Sequence, residues 1–248
     1  MIAPHTEHIP EAMSKLIVIK TGRTMPELQQ QRGDFEDWMI EALAVCRSQV
    51  ETVDVTVGEK LPAFHQVSGV VITGSHAMVT EHHDWSEYLA EWIKVSADKQ
   101  IPTLGICYGH QLIAYALGGS VDYMPDGREV GTLPVTLHPS AQEDDLLHDL
   151  PEQMLVQLSH RQAVMDLPQD AVLLASSDRV PFEAFRYGDR VWGMQFHPEF
   201  STDVMQAYTR YARSGLESEG FDPDHIYRQI TDTPNGLTIM QRFAGLVF

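Results

Sequence analysis

Leu104-Gly105-Ile106-Cys107-Tyr108-Gly109-His110-Gln111 sets a cysteine between two glycines, where a short apolar strand gives way to a helical pattern. That spacing predicts a nucleophile elbow with sulfur as the attacking atom. Gly105 and Gly109 carry no Cβ, so the backbone can turn sharply and leave the space around Cys107 open to a substrate. A thiol placed there points out of the top of a sheet, at a helix N-terminus whose partial positive charge favours the thiolate. Read alone, the stretch is equally a buried structural cysteine before an ordinary helix, because free cysteine often fills cores.

Far downstream the chain reads Val191-Trp192-Gly193-Met194-Gln195-Phe196-His197-Pro198-Glu199, an apolar strand followed by a His and a Glu with proline between them. Proline fixes its own φ and biases the preceding residue toward extended geometry, which holds His197 off a helix. One nitrogen of its imidazole can then face Cys107 while Glu199 holds the other. Nucleophile, base and orienting group are the set that covalent catalysis requires. The tripeptide alone also suits a surface histidine beside a carboxylate. The elbow and the His-Pro-Glu together, each at a strand end, favour chemistry.

With these motifs the chain resembles the class I glutamine amidotransferases, over Leu16 to about Arg213. Gly105-Ile106-Cys107-Tyr108-Gly109-His110-Gln111 is similar to that family's nucleophile signature, and His197-Pro198-Glu199 to its other two triad members. Val70-Val71-Ile72-Thr73-Gly74-Ser75 resembles the strand and loop that supply an oxyanion-hole amide. Arg128-Glu129-Val130-Gly131 and Ser159-His160 extend the resemblance to the amidotransferase half of GMP synthetase. The chain departs from the family at Gly74-Ser75-His76, where Gly-Gly-Pro is usual.

The resemblance implies an α/β fold, an open, mixed and mostly parallel sheet flanked by helices, of flavodoxin-like type. It implies that Cys107 attacks the γ-carboxamide of L-glutamine, that His197 protonates the departing ammonia, and that water releases glutamate from the thioester. The amides of Gly74 and Tyr108 would form the oxyanion hole. Gln111, Ser159 and His160 would hold the amino-acid end of the substrate, although Gln111, one turn into a helix, is also placed to cap or pack. Enzymes of this kind pass ammonia to an acceptor synthetase, in the same chain or as a partner. No Gly-x-x-x-x-Gly-Lys loop occurs here, so a synthetase acting in trans is expected. A second enzymatic reading is hydrolysis or transfer of another γ-glutamyl bond, in a γ-glutamyl peptide or amine. A third, of a different class, is a regulatory or peroxide-sensing protein that uses Cys107 without turnover.

Composition frames these readings. The 248 residues hold 17 Lys plus Arg against 35 Asp plus Glu, a formal charge of −18 with no basic run. That balance argues against a nucleic-acid or anionic-membrane surface. Two cysteines, Cys46 and Cys107, argue against a disulfide framework and suit a reducing cytoplasm. Cys46 follows the apolar face of residues 38–45 and reads as packing. No apolar run approaches a membrane span. Glu81-His82-His83-Asp84 is the densest histidine cluster, yet neighbouring side chains diverge and no second ligand set has metal spacing, so neither a metal nor another cofactor is expected.

Strand-like runs alternate with helical patterns in the first half: Leu16 to Lys20, Thr52 to Val57, Val70 to Thr73 and Ile101 to Gly105. Asp84 and Glu87 have capping-box spacing before a helix whose face is Trp85, Tyr88, Leu89, Trp92 and Ile93. Beyond Gly118-Gly119 the strand signals are Thr132 to Leu137, Met154 to Leu158, Ala171 to Ala175, Phe182 to Tyr187 and Arg190 to Phe196, with Gly188-Asp189 as a hairpin turn. The expected organisation is a loose tail at 1–15, an amidotransferase-like domain at 16–213, and a helical flank at 214–248 in which Pro234-Asn235-Gly236 interrupts the pattern.

Overall fold

The computed structural model describes residues 14–248. Most of the expected tail, residues 1–13 with His5 and His8, lies outside the described residues, and Lys15 already begins the first strand. In chain order the elements are β1 (Lys15–Lys20), α1 (Pro26–Arg32), α2 (Phe35–Leu43), β2 (Val50–Asp54), β3 (Val67–Ile72), α3 (Asp84–Asp98), β4 (Thr103–Ile106) and α4 (Tyr108–Ala116). There follow β5 (Ser120–Tyr123), β6 (Glu129–Leu137), β7 (Gln153–His160), β8 (Gln162–Asp166), β9 (Ala171–Ser176), β10 (Ala184–Tyr187) and β11 (Val191–Met194). The chain closes with α5 (Thr202–Tyr211), α6 (Arg213–Ser218), α7 (Pro223–Gln229) and α8 (Pro234–Val247).

Among the described residues, nine strands form one sheet in the order β2-β1-β3-β4-β11-β10-β9-β6-β7. Strands β2, β1, β3, β4 and β11 run parallel, and every pairing from β11/β10 outward is antiparallel. This is the open mixed sheet that the motif spacing implies. The hairpin at Gly188-Asp189 brings Tyr187 opposite Val191. A separate β5–β8 ladder has no clear sequence signal, because β5 is short and largely open to solvent.

Period-two alternation distributes the apolar strand residues over two cores. Leu16, Val18, Val71, Leu104 and Ile106 face one side, against Met39 and Leu43 of α2 and Ile239, Met240 and Phe243 of α8. Ile17, Ile19, Val70 and Ile72 face the other, against Leu89, Trp92 and Ile93 of α3 and Leu112 and Ile113 of α4. A third cluster joins Leu28, Phe35 and Trp38 to Phe200, Val204, Tyr208 and Leu216, so that α1, α2, α5 and α6 gather over the C-terminal ends of the parallel strands.

Local details differ from expectation for identifiable reasons. The N-cap of α3 is His83, with no side-chain cap bond, and Asp84 is already inside the first turn. Glu87 is drawn instead to His82 Nδ1 at 2.9 Å and to the Tyr115 hydroxyl at 3.0 Å. Tyr88 is exposed, one position off the buried face that contains Leu89, Trp92 and Ile93. Cys46 is also exposed rather than packed, because α2 ends at Leu43 and Ala44 turns left-handed at φ 54°. Pro234-Asn235-Gly236 forms the first turn of α8, since proline at N1 lacks only an amide that the helix does not use.

One buried polar group sets the start of α2. Asp34 accepts from the amides of Phe35 at 2.9 Å and Thr24 at 2.8 Å, and from Lys20 Nζ at 2.7 Å. Lys20 also donates to Glu36 at 2.6 Å. Burial works against the Lys20 ammonium, but these two carboxylates outweigh it and raise its pKa. Asp34→Ala removes the cap and leaves a buried ammonium with one partner fewer, and should cost about 3 kcal/mol or more, read from urea unfolding.

Candidate active site

β4 ends at Ile106 and α4 starts at Tyr108, leaving Cys107 alone in the turn at φ 51° and ψ −98°. A non-glycine residue in this region is strained, a cost of about 1–3 kcal/mol that the surroundings must hold in place. Those surroundings are close-packed: a Cβ on Gly105 would lie 2.4 Å from the Gly109 carbonyl oxygen, and one on Gly109 2.6 Å from that of Ile72. Both glycines are therefore needed for α4 to approach β3 and β4. The Cys107 amide donates to the Met194 carbonyl at 2.8 Å, tying the elbow to the end of β11.

Three residues beyond β11 lies His197, whose amide donates to the Gln157 carbonyl at 2.8 Å. Its Nδ1 is 2.7 Å from Glu199 Oε1, and both side chains are buried. The ring stacks on Phe200, with centroids 4.1 Å apart, and lies 6.4 Å from Phe35, which packs on both. Burial by itself depresses the imidazole, but Glu199 and Cys107 outweigh it and push the pKa up to about 10. His197 is thus a held cation, and its aromatic neighbours suit that charge.

Gly74 completes the group. A Cβ there would lie 3.0 Å from His197 Cε1 and 3.9 Å from Cys107 Cβ, so the loop after β3 passes directly beside both. The Gly74 amide has no acceptor among the described residues, and the Tyr108 amide, first in α4, has none within its helix. In the Gly74-Ser75-His76 departure, the Ser75 hydroxyl donates to the Thr21 carbonyl at 2.7 Å and accepts from the Ala77 amide at 3.1 Å. Nε2 of His76 reaches the Tyr208 hydroxyl. Side chains here provide the rigidity that proline would give.

Cys107, Tyr108, Gln111, Ser159, His160 and His197 all line one cleft of about 270 Å³. Gln111 spends its Nε2 on the Gln162 carbonyl at 2.7 Å and Gln195 Oε1 at 2.9 Å, so only its Oε1 remains for a ligand. His160 presents little beyond its carbon edge: Nδ1 donates to the Gln162 carbonyl at 2.9 Å, and Nε2 lies 3.1 Å from Glu129 Oε2. Behind it sits Glu183, pushed well up by burial and by the charge of Glu129, and so kept as the neutral acid. Burial also opposes the Glu129 carboxylate, but His160 and Arg179 outweigh it and hold its pKa below the usual value.

Glu129, His160 and Glu183 are the one grouping of metal-ligating side chains among the described residues, with ligand atoms within 4.8 Å of one another. Glu129 Oε2, His160 Nε2 and both Glu183 carboxyl oxygens are buried and make no hydrogen bond. His82 and His83 pair separately with Glu87 and Glu81 on the surface. His110, inside the nucleophile motif, is fully buried against Phe185; burial lowers it to about 3, and it is a neutral core residue.

The cleft has walls that local motifs do not mark. His76, Met78, Arg128, Arg161, Tyr208, Tyr211, Ala212 and Gly215 come from separate loops and from α5 and α6. Arg128 lies in a quoted motif but carries no role from spacing alone. His76 and Met78 arrive on the loop after β3 and Arg161 on the turn between β7 and β8, while Tyr208, Tyr211, Ala212 and Gly215 are brought in by the folding of α5 and α6 over the strand ends.

The elbow at Cys107 and the buried His197–Glu199 pair thus meet at the C-terminal edge of an open mixed sheet, a geometry suited to thiol chemistry. Residues 32–210 match the model of the class-I glutamine amidotransferase family, and the chain belongs to that family. It is 33% identical over 177 residues to γ-glutamyl peptidase 4 of Arabidopsis thaliana, covering 70% of each chain. It is 38% identical over 136 residues to the glutamine-hydrolysing GMP synthase of Latilactobacillus sakei, covering 52% of this chain but only 26% of that one. In fold it is similar to a glutamine amidotransferase of Thermotoga maritima, with a TM-score of 0.72 at 22% identity, covering 94% and 98% of the two chains. Among the described residues, no helix is long and apolar enough to cross a membrane.

The charge on Glu199 is what keeps His197 protonated at neutral pH. In Glu199→Gln the imidazole should lose its proton well below the value of about 10 it has with the carboxylate in place, seen by NMR titration of the ring.

Proposed function

We propose that the chain hydrolyses the side-chain amide of L-glutamine through Cys107, His197 and Glu199. The observation that supports this most directly is the protonated His197 held between Glu199 and Cys107 at the edge of an open cleft. With Nδ1 on Glu199, Nε2 is left to serve Cys107. The thiolate attacks the γ-carbonyl carbon, and the amides of Gly74 and Tyr108 receive the oxyanion. Each such donor is worth about 3–4 kcal/mol, because it meets charge present only in the transition state. As the C–N bond breaks, His197 gives its proton to the leaving ammonia. Neutral His197 then takes a proton from water, hydroxide adds to the thioester, the C–S bond breaks, and glutamate and the thiolate–imidazolium pair are restored.

Ammonia made this way would go to an acceptor enzyme in trans. The relative named GMP synthase supports a synthetase partner, although the chain spans about a quarter of its length. A second reading, cleavage of γ-glutamyl peptides, draws support from the γ-glutamyl peptidase relative, matched over 70% of each chain. The same triad serves both, with an amine in place of ammonia.

Glutamate release from L-glutamine and from γ-glutamyl dipeptides should be measured beside Cys107→Ala. The substitution is expected to abolish release; equal release by both proteins would sink the proposal. Because the competent imidazolium persists to a pH of about 10, the alkaline limb of kcat/KM should lie near there and move to lower pH in Glu199→Gln.

A further inference from the structure

The chain has 35 acidic residues, yet among the described residues none lines the cleft. The charged and ionisable side chains that line it are Arg128, Arg161, His76, His160 and His197, beside Cys107 and the tyrosines. Arg128 and Arg161 are brought together by strand register. Glu129 pairs with His160 across the β6–β7 ladder, so the residues just outside that pair face each other at the ladder's end. Arg161 also directly follows His160, in the segment expected to hold the amino-acid end of the substrate.

Glu219 occupies this pair. Its Oε2 accepts from Arg128 Nε at 2.6 Å, and its Oε1 from Arg128 Nη2 at 2.7 Å and Arg161 Nη2 at 2.5 Å. A bidentate arginine with a second arginine on one oxygen is the geometry of carboxylate recognition. The group leaves one positive charge over, and its side chains are 10% (Arg128), 46% (Arg161) and 29% (Glu219) exposed, within reach of a dissolved ligand. From behind, Arg179 fixes the Arg128 backbone by donating to its carbonyl at 2.9 Å. Glu219 follows α6, whose Gly215 lines the cleft, and both lie beyond the stretch 32–210 that matches the family.

We propose that Arg128 and Arg161 form a carboxylate subsite for the substrate, and that Glu219 is a resident placeholder which the substrate's carboxylate displaces. The proposal deepens the γ-glutamyl reading above and rests on it. The ligand class is a γ-glutamyl compound with a free carboxylate, either the α-carboxylate of the glutamyl unit or one on the leaving amine. With Glu219 displaced, the two arginines suit the second source well, since a γ-glutamyl dipeptide carries one net negative charge where glutamine carries none. A salt bridge that only anchored α6 would lose stability when either partner changed. A placeholder differs in sign, because removing Glu219 frees the arginines for the ligand.

The test is calorimetric binding to the full chain carrying Cys107→Ala, which cannot turn substrate over. Two matched pairs separate the sources: L-glutamine against its α-carboxamide, and γ-L-glutamylglycine against γ-L-glutamylmethylamide. Arg161→Ala is expected to weaken, in one pair, the member carrying the extra carboxylate about tenfold, while the member lacking that carboxylate stays within about twofold. Glu219→Gln is expected to tighten the same carboxylated ligand a few-fold. The affected pair identifies which carboxylate is held. Equal losses within both pairs, no loss in either pair, weaker binding in Glu219→Gln, or no binding by the parent protein each overturn the subsite. Binding as expected without Cys107-dependent hydrolysis by the unsubstituted chain condemns the reaction reading and leaves the subsite standing.

Discussion

The backbone at Cys107 cannot relax without dismantling its surroundings, and most of the site follows from that constraint. At φ 51° and ψ −98° the residue occupies a conformation that an L-amino acid avoids. It is held there by the sheet beneath, by the amide bond to Met194, and by the contact of α4 on β3 and β4 that only glycine allows at 105 and 109. The result places a sulfur at a helix N-terminus, above the C-terminal edges of parallel strands. Ligand sites gather in that position in open α/β sheets, where neighbouring loops diverge.

The other half of the chemistry is a charge kept in a dry place. His197 is buried against Phe200 and Phe35, where desolvation alone would strip its proton, and the Glu199 carboxylate reverses that balance. Phe35 reaches the imidazole because Asp34 caps α2 beside a buried Lys20. A buried ion pair in the N-terminal part of the chain is thereby linked, through one helix start, to the packing of a residue far along the sequence. Glu129, Glu183 and His160 repeat the device beneath the opposite wall, with one carboxyl group neutral so that the other can carry the charge.

Residues close together in sequence were legible before the structure. Cys107 between its glycines, His197 and Glu199 about one proline, and the strand runs of the parallel half all carry their meaning locally, in a turn requirement or a period of two. Reading was weaker where a competing partner decides. Asp84 looks like a cap, yet Glu87 turns to Tyr115 and His82. Cys46 looks like core, yet α2 stops short of it. β5 and β8 pair with each other away from the main sheet, and neither has enough alternation to be separated from loop.

The strand runs, the elbow at Cys107 and the His197-Pro198-Glu199 turn are each written within a few positions of the sequence, whereas the meeting of Cys107 with His197 comes from the pairing of β4 with β11. Tertiary structure alone decided what surrounds that chemistry. His76 meets Tyr208, Arg128 meets Arg161 across the end of a ladder, and Glu219 closes on both, over separations of tens of residues. No local pattern encodes such contacts. The β6–β7 register sets the two arginines side by side, and α5 and α6, packed through their apolar faces on Phe35 and Trp38, bring Tyr208 and Glu219 to the mouth of the cleft.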